Sequence, residues 1–311
     1  MNTRLRHEAA VFDSTEHMLH VVVPFLDEAT AAGTPAVVRF GEEWAARLRD
    51  RVADPGRVDF VGGADDENPI RAVRAMNEAA QGHLEAGAPQ IRLVGGVPDS
   101  AMSSRWAWEQ WARYEAAFNE MYADLPAVAL CCYPAWPAGN VHDDIAATHP
   151  RLVGGDGARE NSSYVDPRRF VADRNPAPAE RLDEDAPALE LHDPHPGIAR
   201  EAVRRLAERA HLADGQVEDL VLGANEVFTN AFLHGSRPVE LRGWVADDEL
   251  LLSIRDHGVG VDDPFVGMLQ PPADRPEPGG YGVWLARMCS DLVTLRRDPD
   301  GFTVRMTARA R

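Results

Sequence analysis

With 311 residues, 44% of them hydrophobic and 26% charged, the chain has a globular composition and enough length for two cored domains. Its formal net charge of −18 is shared, −10 over the first 168 residues and −8 over the rest, which excludes the basic footprint that a nucleic acid or an anionic membrane surface requires. All 32 basic residues are Arg, which excludes a Walker-type phosphate loop and lysine Schiff-base chemistry, and the three cysteines show neither metal-site spacing nor a disulfide framework.

Taken in order, the first half alternates strand and helix signals. His7 to Phe12 is a short apolar segment, and Asp13 or Ser14 is placed to cap a helix that stops at Gly33. Strands are predicted at Pro35–Phe40, Val58–Val61, Gln90–Val94, Ala127–Tyr133 and Arg151–Val153. Helices are predicted at Glu42–Val52, Pro69–Ala86 and Ser103–Tyr122, with a short one before His149-Pro150. Near-continuous apolar strands separated by amphipathic helices predict an α/β domain with a parallel sheet covered on both faces. Ligands of such sheets bind at the carboxyl ends of the strands, where this sequence offers glycine pairs and His, Tyr and Trp side chains. The glycines also suit tight strand-to-loop turns. His7 and His149 suit either ligand contact or a hydrogen-bonded core, and Trp106, Trp108 and Trp111 suit core anchoring. Cys131 and Cys132 suit small core positions.

Residues 169–192 are charged, rich in Pro and without period, as expected of a linker between domains at 1–168 and 193–311.

The second half opens with a helix starting at Pro196. A second helix follows, in which Val217, Leu220, Val221, Ala224, Val227, Phe228 and Ala231 form an apolar stripe. Glu226 and Asn230, four apart, stack on the opposite face. Hairpins are predicted for Val239–Val245 with Leu250–Arg255 and for Leu292–Leu295 with Phe302–Met306, with a helix over Tyr281–Ser290 between them. This order predicts a two-layer α+β sandwich. The run from Val261 to Gly279 is expected to be a lid, with glycine as hinge.

Three motifs lie in this half: Glu226-x-x-x-Asn230 on a helix, Asp256-His257-Gly258-Val259-Gly260 after a strand, and Gly280-Tyr281-Gly282 opening a helix. In that order they resemble the N, G1 and G2 boxes of the GHKL ATPase fold. The resemblance implies ATP and Mg²⁺ as cofactors. Asp256 would accept the adenine amine, with Gly258, Gly260, Gly280 and Gly282 giving close backbone approach to the nucleotide. Asn230 would be a Mg²⁺ ligand and Glu226 the general base. His192 and His195 lie among prolines, a poor setting for a histidine-kinase dimerisation helix. The run Gly280-Tyr281-Gly282-Val283-Trp284-Leu285-Ala286-Arg287, with His234-Gly235 ending the N box, is similar to the anti-sigma-factor serine kinases. That implies a homodimeric partner-switching kinase acting on Ser or Thr of a STAS-type anti-anti-sigma factor and otherwise holding a sigma factor. A non-catalytic ATP-dependent sequestering module and an atypical sensor histidine kinase are the alternatives.

His7, Tyr114-Glu115 with Asn119, Asp124-Leu125-Pro126, Ala129–Tyr133 and His149-Pro150 resemble the MEDS sensory domain over roughly residues 5–165. This implies a small-molecule sensor, with His7, Tyr133 and His149 near its ligand. Ala9 departs from relatives that often carry a cysteine there. A hydrophobic leader is absent at the N-terminus, and no apolar run approaches the ~20 residues that span a bilayer. The expectation is a cytoplasmic protein.

Overall fold

The computed structural model describes residues 4–63, 65–136, 140–155, 157–174, 181–270 and 280–310. It divides into two compact units, Met1–Phe170 and Val171–Arg311.

The first unit runs β1 (Arg6–Phe12), α1 (Thr15–Ala31), β2 (Ala36–Arg39), α2 (Glu42–Arg49), β3 (Val58–Phe60), α3 (Pro69–Ala72) and α4 (Arg74–Glu85). It continues with β4 (Ile91–Gly96), α5 (Asp99–Ser103), α6 (Arg105–Met121), β5 (Ala127–Pro134), α7 (Val141–Thr148), β6 (Arg151–Gly154) and β7 (Gly157–Glu160), and α8 (Pro167–Asp173) carries the chain into the second unit. Ser14 caps α1 by accepting from the His17 amide at 3.2 Å, and Gly33 takes φ +69° at its stop. The helix expected at Pro69–Ala86 is broken, and a short helix not expected, α5, precedes the one expected at Ser103–Tyr122. Val73 separates α3 from α4, and Ser104 leaves the helical region to cap α6 through the Ala107 amide. The strand order is β3-β2-β4-β5-β1-β6-β7. Every pairing is parallel except β6 with β7, so the sheet is mixed where a parallel one was expected. The unforeseen β7 is a short edge strand with little buried, and leaves no apolar signature.

Alternation along the strands divides the core. Ala10, Phe12, Val38, Val94, Leu130 and Cys132 meet Val22 and Leu26 of α1. On α6, Trp106 through Phe118 are all buried, including Glu109, Gln110, Arg113 and Glu115. A helix buried all round yet carrying charge must satisfy that charge internally.

The second unit comprises β8 (Leu189–His192), α9 (Pro196–Arg209), α10 (Asp214–His234), β9 (Glu240–Ala246), β10 (Glu249–Asp256), α11 (Gly280–Met288), β11 (Leu292–Asp298) and β12 (Gly301–Arg309). Its sheet, ordered β11-β12-β10-β9-β8, is antiparallel throughout. Leu250, Leu252 and Ile254 join Val203 and Leu206 of α9, Val227 and Phe228 of α10, and Ala286 of α11 in one core. Each such fully buried aliphatic side chain contributes about 1.5–3 kcal/mol.

The stretch 169–192, expected as linker, is partly built into this unit. Leu189 and Leu191 are half-buried on β8, which pairs with β9, while Asp183 binds Arg305 at 2.6 Å and the Asp185 carbonyl accepts from Trp244 Nε1 at 2.9 Å. A four-residue edge strand with one half-buried face is too weak a pattern to stand out among prolines and acids. Residues 175–180 lie outside the described residues, as do 271–279 of the expected lid, Gly279 included. The described part of that run is packed down. Phe265 and Met268 are buried, and Arg287 donates to the Val266 carbonyl at 3.0 Å.

Candidate functional sites

In the second unit the end of α10, the end of β10 and the start of α11 converge. Asp256 closes β10 with 6% exposure, and its Oδ1 accepts from the Gly258 amide at 2.6 Å and the Ser236 amide at 3.3 Å. Ser236 follows the C-terminal cap of α10, and its carbonyl accepts from the His257 amide at 2.8 Å. The carboxylate is therefore fixed by backbone on both sides, while its Oδ2 takes no hydrogen bond from a described residue. A fixed acceptor of this kind suits a purine amine.

Glu226 and Asn230, one turn apart on α10, are half-buried, and neither bonds to a described residue. By contrast Asn225 is committed to Arg200 at 3.0 Å. The Asn230 side chain lies against Gly282, where a Cβ would overlap its Nδ2. A Cβ on Gly258 would stand 2.7 Å from Asp256 Oδ1. Gly260, at φ +64°, rests on the Phe302 ring. The glycines expected at a nucleotide thus also serve close packing within the protein. Gly280 opens α11, whose next turn holds Tyr281 and Trp284 edge to face at 6.1 Å. Arg287, buried, binds the carbonyls of Val266 and Val293, both at 3.0 Å. These features fit a nucleotide with its divalent ion: an open buried acceptor, an uncommitted carboxylate and amide on one helix face, and a glycine-lined helix start.

In the first unit the structure brings His7, Tyr133 and His149 together. The rings of His7 and His149 are 4.2 Å apart, and Tyr133 Oη lies 3.4 Å from His149 Nε2. Sequence reasoning did not single out Glu115 and Cys131 as site residues, yet both join them. Glu115 Oε2 is 3.3 Å from His7 Nε2 and 3.7 Å from His149 Nε2. Cys131 Sγ is 3.3 Å from His7 Nε2 and 3.8 Å from Glu115 Oε2. The missed signal is register. Cys131 pairs with Ala9, two residues after His7 and on its face of the sheet, whereas Cys132 turns into the α1 core. Burial raises the Glu115 carboxyl, but the hydrogen bond from His7 and the charges of His149 and His7 outweigh it and leave the group lowered. Burial, with the charge of His7 adding to it, pushes His149 down to about 3. Burial and the neighbouring Glu115 push the Cys131 thiol well up.

The cavity beside the cluster is also lined by Arg39, Gly95 and Gly96, at the carboxyl ends of β2 and β4, so it reaches toward the strand ends where the ligand site is expected. It is about 30 Å³, room for about two waters. A separate cleft of about 720 Å³ does occupy the strand ends, lined by Phe12, Phe40, Trp44, Tyr133 and Trp136 with Asp13, Glu42, Glu43, Asp65 and Asp99. Tyr133, Gly96 and Val97 border both; His7 borders only the smaller cavity, and His149 lines neither. All three tryptophans of α6 are buried.

Residues 6–150 match the MEDS family, described as the MEthanogen/methylotroph, DcmR Sensory domain. Residues 192–308 match the family described as the histidine kinase-like ATPase domain. No curated protein matches the chain. Among solved structures it is similar to the RsbU and RsbW domains of Rv1364c from Mycobacterium tuberculosis, at 18% identity over 40% of this chain and 32% of that one, with a TM-score of 0.28. The chain thus spans about a third of that structure's length, and a likeness of this size carries no functional weight. Among the described residues no helix is long and apolar enough to cross a membrane.

Proposed function

The chain joins a MEDS sensory domain to a histidine kinase-like ATPase domain, and from that pairing we propose an ATP-dependent protein serine/threonine kinase that also serves as an anti-sigma factor. In this reading it acts as a cytoplasmic homodimer that phosphorylates a STAS-type anti-anti-sigma factor and otherwise holds a sigma factor. The MEDS domain sets the activity according to a bound small molecule.

The observation that carries the kinase reading is the uncommitted pair Glu226 and Asn230 on one face of α10, beside Gly282 and within a unit that also holds the open Oδ2 of Asp256. ATP supplies the phosphoryl group, and Mg²⁺ neutralises its charge. Asp256 Oδ2 accepts from the adenine amine while Oδ1 stays anchored. The N-terminus of α11, which Gly280 opens, offers its dipole to anionic phosphate. Asn230 offers its side-chain oxygen to the ion, and Glu226 receives the proton of the attacking hydroxyl.

A Ser or Thr acceptor is supported over a histidine one by the placement of the upstream histidines. His192 lies in edge strand β8, and His195 caps α9 by accepting from the Gly197 amide at 3.2 Å. The resemblance of Gly280 to Arg287 to the anti-sigma kinases supports the partner class. Incubation with radiolabelled ATP and candidate STAS proteins tests the proposal. Label on a Ser or Thr of one of them is the expected result. ATP binding with sigma-factor capture but no transfer would leave a sequestering module.

A further inference from the structure

We infer that His7, Glu115, Cys131 and His149 form a buried four-ligand site for a divalent transition metal of the zinc class. One nitrogen, oxygen or sulfur from each residue lies within 4.8 Å of all the others. Zn–N of about 2.0–2.1 Å and Zn–S of about 2.3 Å place tetrahedral neighbours about 3.3–3.6 Å apart. The contacts measured are 3.3 Å for His7 with Glu115, 3.3 Å for His7 with Cys131, 3.7 Å for His149 with Glu115 and 3.8 Å for Cys131 with Glu115. Four of the six edges of a coordination tetrahedron thus stand near their zinc values, and the other two, from His149 to His7 and to Cys131, lie within 4.8 Å.

Tautomers point the same way. Asn119 Nδ2 donates to three carbonyls, of Glu115, Ala116 and Thr148, which fixes its amide orientation. Its Oδ1, 3.0 Å from His7 Nδ1, must then accept a proton from that ring nitrogen. His149 Nδ1 lies 2.9 Å from the Ile145 carbonyl, which also requires N–H there. With both Nδ1 atoms donating, both Nε2 atoms turn toward the Glu115 carboxylate, an arrangement that a proton on His7 Nε2 or a cation standing between them must relieve. Orienting partners behind each imidazole are the usual second layer of a metal site.

Charge and size agree. Glu115 and a Cys131 thiolate supply two negative charges and the two imidazoles none, which neutralises a divalent ion in a place where net charge is costly. Nitrogen and sulfur donors select zinc-like ions over magnesium or calcium. The adjoining cavity of about 30 Å³ admits no metabolite of ordinary size. His7 and Cys131 come from neighbouring strands, Glu115 from α6, and His149 from the residue after α7, so no local spacing could announce the site.

The test uses the full chain and does not depend on the kinase reading. Protein stripped with chelator is titrated with Zn²⁺ and, separately, with Co²⁺. About one ion per chain is expected, with intense visible bands of tetrahedral cobalt and a near-ultraviolet thiolate charge-transfer band. Cys131→Ser should abolish the charge-transfer band, and Cys132→Ser, one residue along but on the other face, should leave it intact. Asn119→Ala, which removes the His7 orienting contact along with the donor to the Glu115, Ala116 and Thr148 carbonyls, should weaken Zn²⁺ about 10–100-fold. Should Cys131→Ser not fold, Glu115→Gln and Asn119→Ala decide the matter. Folded wild-type protein that binds no stoichiometric Zn²⁺ or Co²⁺, or a cobalt spectrum indifferent to Cys131→Ser, would overturn the site and leave a proton-linked core network.

Discussion

The Asn230 side chain lies directly against the backbone of Gly282, so at this point the N-box helix meets the helix of the last glycine motif through Asn230 alone. A methyl group at 282 would overlap Asn230 Nδ2. Gly282→Ala should therefore push Asn230 off the face it shares with Glu226. The expected outcome is a fall in Mg·ATP affinity of tenfold or more, with a stability cost of about 1–3 kcal/mol for the forced repacking. Calorimetric titration and urea unfolding read the two effects separately.

Asp256 has two separable duties, one per oxygen. Asp256→Asn can keep accepting from the Gly258 and Ser236 amides, yet it presents an NH₂ where the adenine amine needs an acceptor. ATP binding should fall by about 2–3 kcal/mol, the cost of an unmade bond to a charged group, while the melting temperature changes little. Asp256→Ala should lose both ATP binding and stability. Unchanged ATP affinity in the Asn variant would remove Asp256 from the nucleotide site.

Glu226→Gln and Asn230→Ala should part company. The first is nearly isosteric, so Mg·ATP binding should persist while phosphotransfer drops by roughly 10²–10⁴, the usual worth of a general base. The second should lose both. If Glu226 only faces water, its substitution changes stability by no more than about 0.5 kcal/mol and leaves transfer untouched.

In the sensor unit, the roomy cleft at the strand ends and the closed histidine cluster make different demands. A metabolite that raises the melting temperature of the full chain should lose that effect in Trp136→Ala, since Trp136 lines the cleft and is 53% exposed. His149→Gln, at a residue that lines neither cavity, should leave the metabolite's effect in place. The reverse pattern would return the small-molecule site to the histidines.

Much of the layout was legible because its signals are local. Continuous apolar strands at Ala36–Arg39, Ile91–Gly96 and Ala127–Pro134 sit in the middle of the mixed sheet, buried on both faces as such runs require. The 3.6-residue stripe of α10 and the two hairpins likewise reported the helices and antiparallel sheet of the second unit. Edges were illegible. β7 and β8 are four residues each, with little or half-buried surface, and pairing with a neighbour rather than side-chain pattern defines them. The closed cluster was half legible. His7 and His149 drew notice as residue types, but Glu115 is one of several charges on α6, with no period to set it apart. Cys131 differs from Cys132 only in which face of β5 it takes.

That last difference makes β5 a party wall. Cys132 and Pro134 front the wide cleft, whereas Ala129 and Cys131 front the small cavity. Substitutions at Cys132 and Pro134 can therefore retune what enters the wide cleft without altering a side chain that lines the small cavity. Tyr133, with Gly96 and Val97, is where one room can be felt from the other.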